Sequence, residues 1–222
     1  MIITISREYG AGGSDVGRRL AERLGWALVD NEVVDEVARR VGLPRAEVAD
    51  REERAPGFLD RLLRALAASA PEVVNPEVPI STLTEEQLVP MTEKVVGEAA
   101  ARDNVVLVGR AAPAVLGQRA NALHVKVVAP LPDRVVTVMA RLQVDAAQAA
   151  REITDRDANR RRYHERYYQR DWADATNYDL VLNTGRLGLE GTVDLIIAAI
   201  GVMPPGGAAP AGSATSSRPR SG

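Results

Sequence analysis

The chain opens with an apolar run, Ile2 to Ile5, that passes through Ser6, Arg7, Glu8 and Tyr9 into Gly10, Ala11, Gly12, Gly13 and Ser14, and then directly into an amphipathic helix. This order of strand, glycine-rich turn and helix limits the fold more than any other feature. Such a turn aims successive backbone N–H groups and the positive end of the helix at one point, which suits a phosphate. A tight turn that needs glycine only for its backbone angles is the alternative. The helix reads from Ser14 to Leu24. Val16, Leu20, Ala21 and Leu24 fall on one face, Arg18, Arg19, Glu22 and Arg23 fall elsewhere, and Gly25 ends it.

The turn departs from the standard phosphate loop, Gly-x4-Gly-Lys-Ser/Thr, in which lysine reaches the β- and γ-phosphates and the hydroxyl ligates Mg²⁺. With Gly12 as the second glycine, Arg7 stands at the first, Gly13 at the lysine and Ser14 at the hydroxyl. Removing one preorganised charge donor lowers a rate by about 10²- to 10³-fold. Either another cation substitutes, Arg7 and Arg18 being nearest, or phosphoryl transfer is slow or absent.

Four more apolar runs follow: Ala27 to Val29, Val105 to Val108, His124 to Val128 and Leu180 to Leu182. Strands this apolar are covered on both faces. Helical patterns lie between them at Glu32 to Val41, Gly57 to Ala68, Glu85 to Arg102, Asp133 to Leu142, Asp145 to Tyr168 and Glu190 to Ile200, with Thr84 and Gln87 forming a capping box. The alternation predicts a three-layer α/β/α fold with a five-stranded parallel sheet and ligands at the carboxyl ends of its strands. The segment 31–104 is too long for one crossover and reads as carrying a helical insertion. Residues 1–201 are expected to form one domain. Residues 202–222, mostly Pro, Gly, Ala and Ser, bury too little apolar area to order and read as a disordered tail.

Composition excludes several classes. With 28 basic and 30 acidic side chains the formal charge is −2, so no global field grips a nucleic acid, and any anion site needs local arginines. Cysteine is absent and the only histidines are His124 and His164, which removes thiolate catalysis, Cys-ligated metals and His-rich metal sites. No apolar run reaches about 18 residues, and the first residues lack the pattern of a secretory signal. The expectation is a cytoplasmic protein with no membrane partner.

Three segments, Ile3 to Gly13, Val106 to Arg110 and Asn177 to Thr184, together resemble the cytidylate-kinase-like family of P-loop nucleoside monophosphate kinases, over roughly residues 1 to 200. The resemblance implies a P-loop kinase fold with an acceptor-side helical insertion and an arginine-rich lid, residues 151–176. It implies transfer of the ATP γ-phosphoryl, with Mg²⁺, to a nucleoside monophosphate, CMP or dCMP. Gly10, Ala11, Gly12, Gly13 and Ser14 would hold the donor phosphates, with Ser14 on the metal. Arg110, after the central strand, would hold the acceptor phosphate, or else is a surface arginine. Asp30 would orient substrate or metal, or cap the helix near Glu32. In the lid, Arg156 and Arg160 would neutralise transferring charge and Asp157 would contact the acceptor nucleotide.

The lid segment also reads as a solvated, salt-bridged helix. The family's Arg-x3-Asp-x2-Arg puts Ile153 at its first arginine, and Tyr163 to Trp172 is more aromatic than the family's lid, so lid register and acceptor stay open. Asp133 reads as structural, Arg134 as a weaker phosphate candidate, and Asn183 and Thr184 as donor-base neighbours or turn residues. The alternatives are a nucleotide-binding regulatory protein that has lost catalysis, or a kinase for another small phosphate acceptor.

Overall fold

The structure is a computed structural model and describes residues 1–30, 85–109 and 111–203. Five strands, β1 (Ile2–Arg7), β2 (Ala27–Asp30), β3 (Val105–Val108), β4 (Ala122–Val128) and β5 (Leu180–Asn183), form one parallel sheet in the order β2-β3-β1-β4-β5. The most apolar runs take the centre. β1 is buried at all six positions and β3 at all four, whereas the edge strands β2 and β5 are only partly covered.

Helices cover both faces. On one, α1 (Gly13–Leu24) and α6 (Thr184–Val202) pack Val16, Leu20, Val193 and Ile196 against Ile3, Ile5, Val106 and Val125. Gly17 allows α1 this close, because a Cβ there would lie 2.5 Å from Val108 Cγ2. On the other face, α2 (Glu85–Ala100) and α3 (Ala112–Leu116) set Val96, Ala99 and Ala112 against Ile2, Val105 and Leu107. Fully burying one such side chain contributes about 1.5–3 kcal/mol, so the two layers fix where the strand ends converge. A second helix pair, α4 (Leu131–Leu142) and α5 (Ala146–Tyr168), packs together beside them, and Asp145 caps α5 by accepting the Gln148 N–H at 2.8 Å.

All five expected strands are present, four of them longer at an end. Three helices differ from expectation. The five-residue α3 was not foreseen, being too short to show a period. α6 begins at Thr184, not Glu190, because Asn183 Oδ1 accepts the Gly185 N–H at 3.0 Å and caps an extra turn, set off by a kink at Gly188. α2 lies in the expected insertion, 31–104, yet it is part of the core layer. α6 runs to Val202, one residue into the expected tail. The expected helices Glu32 to Val41 and Gly57 to Ala68, Thr84 of the capping box, and residues 204–222 lie outside the described residues. Among the described residues no helix is long and apolar enough to cross a membrane.

Candidate active site

The glycine-rich loop crosses the carboxyl end of β1. Gly10 (φ 83) and Gly12 (φ 76) are left-handed, and a Cβ on Gly10 would lie 2.9 Å from the Arg134 carbonyl oxygen of α4. Glycine at 10 is therefore demanded by backbone angle and by close approach alike. Gly12 opens α1 with no side-chain cap, and Val16 N–H donates to its carbonyl at 2.9 Å. The N–H groups of the first turn have no partner within the helix, and that end of α1 carries the positive dipole. Thr184 Oγ1 donates to the Ala11 carbonyl at 2.8 Å, bracing the loop from α6.

The loop suits a phosphate, and Ser14 places one hydroxyl beside it. Mg²⁺ binds through one or two protein oxygens plus substrate phosphates and water. A single hydroxyl at a phosphate loop therefore fits Mg²⁺ brought in with a nucleotide. Among the described residues no cluster of three His, Asp or Glu side chains forms a resident metal site.

Arg7 lies across the carboxyl ends of the central strands. Its Cβ and Cγ are 2.5 and 2.6 Å from where a Cβ on Gly13 would sit, and its Nη1 occupies the place of a Cβ on Gly109. Its Nη2 lies 3.8 Å from Asp30 Oδ1 at the end of β2, and both side chains are buried. Arg110 lies outside the described residues. It is flanked by Gly109 (φ 85) and Ala111 (φ 49), the latter a strained backbone angle for a residue with a Cβ.

The helix expected to act as a lid is tied to the loop. Asp157 is buried and accepts the Tyr9 N–H at 2.9 Å, pairs with Arg134 at 2.6 Å and pairs with Arg160 at 2.9 Å. The Tyr9 ring is buried with Val138, Ala149 and Ile153 between α4 and α5. Arg156, Arg141 and Arg160 lie over that ring at 4.4, 4.5 and 5.7 Å from its centre. Stacking of this kind contributes about 0.5–2 kcal/mol per pair. Two of these arginines are also held by carboxylates of their own helix, Arg156 by Glu152 at 3.2 Å and Arg160 by Asp157 at 2.9 Å.

A second polar group lines the opposite face of β1. Trp172 Nε1 donates to Ser6 Oγ at 2.9 Å, and Lys126 Nζ donates to the Trp172 carbonyl at 2.6 Å while lying 4.2 Å from the Trp172 ring centre. Burial pushes the Lys126 pKa down, against the opposing pull of Glu8 and Asp171. Beside this group an open cleft of about 530 Å³ is lined by Arg161, Glu165, Gln169, Arg170, Asp171 and Trp172. Burial also drives His164 on α5 down to about 4, with Lys126 and Arg170 adding to the effect.

The fold thus gathers Gly10 to Ser14, Asp30, Arg156, Asp157 and Arg160 around the carboxyl edge. It does not bring Arg18 there. The Arg18 guanidinium is half exposed on the outer face of α1, paired with Asp15 and Glu22 at 3.3 Å each, and both partners raise its pKa. Asn183 and Thr184 are an N-cap and a loop brace. Sequence reasoning missed Tyr9, Lys126 and Trp172. A tyrosine inside a glycine-rich turn was the one available signal, since a large ring there needs a place to be buried.

The comparisons with known proteins fit this geometry. Residues 2–186 match the cytidylate kinase-like family. The chain belongs to that family. Family and fold place it among the P-loop phosphotransferases. A cytidylate kinase from Natronomonas pharaonis is 27% identical over 209 residues, which cover 92% of each chain. A uronate isomerase from Corynebacterium glutamicum is 38% identical over 98 residues, 44% of this chain, but the match spans only 19% of that protein's length. Among solved structures, an uncharacterized protein from Eubacterium ventriosum superposes with a TM-score of 0.61 at 24% identity, covering 91% of this chain and 99% of the other, and so shares the fold.

Proposed function

We propose that this cytidylate kinase-like chain transfers the γ-phosphoryl group of ATP, carried in with Mg²⁺, to a nucleoside monophosphate, CMP or dCMP. The observation that carries the proposal is the uncapped start of α1, a phosphate-shaped loop at the carboxyl edge of the sheet with buried arginine charge beside it. The bond from the γ-phosphorus to the β–γ bridging oxygen breaks, and its electron pair leaves on ADP. An acceptor phosphate oxygen forms the new bond, giving a nucleoside diphosphate. This chemistry rests on positioning and charge stabilisation, and no covalent nucleophile is needed.

Within this proposal Gly10, Ala11, Gly12, Gly13 and Ser14 hold the donor phosphates, with Ser14 offering its hydroxyl to the metal. Arg110 and Asp30 serve the acceptor side. Arg156 and Arg160, gathered on Tyr9, supply positive charge, and Asp157 ties Arg160 to the loop. The Natronomonas pharaonis relative, a cytidylate kinase by name, supports a pyrimidine acceptor. A coupled ADP-release assay with ATP and Mg²⁺ against CMP, dCMP, UMP, AMP and GMP tests the proposal, and turnover should be fastest with CMP or dCMP. Gly13 at the lysine position favours a second reading, a nucleotide-binding protein without catalysis. ATP binding without turnover of any acceptor would select it.

A further inference from the structure

From the packing of Arg7 we infer that this residue is the cation that holds the transferring phosphoryl group, in place of the lysine absent at position 13. The inference rests on the proposed donor-phosphate role of the loop, but not on which acceptor is used.

Two glycines make room for this one side chain. A side chain at 13 would begin 2.5 Å from Arg7 Cβ, and one at 109 would begin on its guanidinium. The stem of Arg7 therefore fills the volume where a lysine at 13 would start. Its head group lies at the ends of β2 and β3, beside Asp30 and Gly109. The charge thus sits between the loop and the carboxyl ends of β2 and β3.

A guanidinium keeps its proton when buried, where a lysine ammonium is readily neutralised. The Arg7 side chain is only 9% exposed. Asp30 Oδ1 faces Arg7 Nη2 at 3.8 Å and helps orient the fork. A guanidinium fork suits the oxygens of a phosphoryl group, which it can bind bidentately. Gly13 and Arg7 are then one exchange: the cation has moved from the helix start to the strand end.

Binding of ATP and of ADP, each with Mg²⁺, measured by titration calorimetry tests this. A cation on the transferring group contacts ATP and not ADP. Arg7→Gln should therefore weaken ATP by 10-fold or more while ADP changes less than about 3-fold. The double variant Arg7→Ala with Gly13→Lys, which frees the volume and restores the loop lysine, should regain most of the ATP preference. Equal weakening of ATP and ADP, no weakening of either, or no recovery in the double variant would overturn the inference. If Arg7→Gln does not fold, Arg7→Lys is read the same way: a partly kept ATP preference supports the inference, and parallel loss of both nucleotides overturns it. Lack of turnover with every monophosphate in the wild type would remove the proposed function and leave the ATP-to-ADP comparison standing as the test of Arg7.

Discussion

Asp157, on the fourth helical residue after Ile153 in α5, accepts the backbone N–H of Tyr9 at 2.9 Å and so joins the arginine-rich helix to the phosphate loop. Both its oxygens are used, Oδ1 by Tyr9 and Arg160 and Oδ2 by Arg134. Removing one partner of a buried charge pair is costly, because the other charge stays behind unpaired. Asp157→Ala should therefore lower stability by about 3–5 kcal/mol, as measured by urea unfolding. Asp157→Asn, which keeps the shape, should lose less but still weaken ATP binding, because the loop loses its anchor. Unchanged stability in both variants would show that the tie contributes nothing.

Tyr9 gives a sharper test of what holds that loop. Its hydroxyl is buried with no hydrogen-bond partner among the described residues, whereas its ring packs on Val138 and Ile153 beneath three guanidinium groups. An unsatisfied buried hydroxyl is unfavourable, so Tyr9→Phe should leave stability unchanged or raise it by up to about 1 kcal/mol. Tyr9→Ala empties the site and should cost about 3–5 kcal/mol. The pair of thermal or urea unfolding curves separates ring from hydroxyl. A Phe variant as unstable as the Ala variant would contradict the packing described.

Arg18 provides the contrast with Arg7. Its guanidinium faces Asp15 and Glu22 one turn away on either side, at the surface. Exposed helix pairs of this kind contribute little, so Arg18→Ala should change stability by no more than about 0.5 kcal/mol. ATP affinity by calorimetry should shift less than 2-fold. A loss of 10-fold or more would make Arg18 the cation of the loop after all.

The contrast also shows what could be read from the chain. Strand, glycine turn and helix were legible because they are set by neighbours in sequence, and so were all five strands. Arg18 was in principle legible too: helical spacing puts it on one face with Asp15 and Glu22, away from the side that Val16 and Leu20 bury. The direction of Arg7 was not, since it depends on Gly109 and Asp30, which reach it only through sheet pairing. Nor was the seat of Tyr9, whose backbone partner Asp157 lies 148 residues away. A run of alternating arginines and acids looks the same whether it is solvated or folded over a loop. Long-range partners made the difference.

His164 predicts a pH dependence of folding. Burial on α5 lowers its pKa from the ordinary 6.5 to about 4, with the nearby positive charges of Lys126 and Arg170 acting in the same direction. Between these values the unfolded chain binds a proton that the folded chain does not, so stability rises with pH across this window. The neutral ring's full contribution is present above about pH 6.5 and is lost as pH falls toward 4, at about 1.4 kcal/mol per unit where the difference is complete. Carboxylates titrate in the same range, so the test is a difference: urea unfolding of wild type and His164→Gln at pH 7, 6, 5 and 4.5. Wild type should lose on the order of 2 kcal/mol more than the variant from pH 7 to 4.5. Parallel curves for the two proteins would mean that His164 does not titrate as its burial requires.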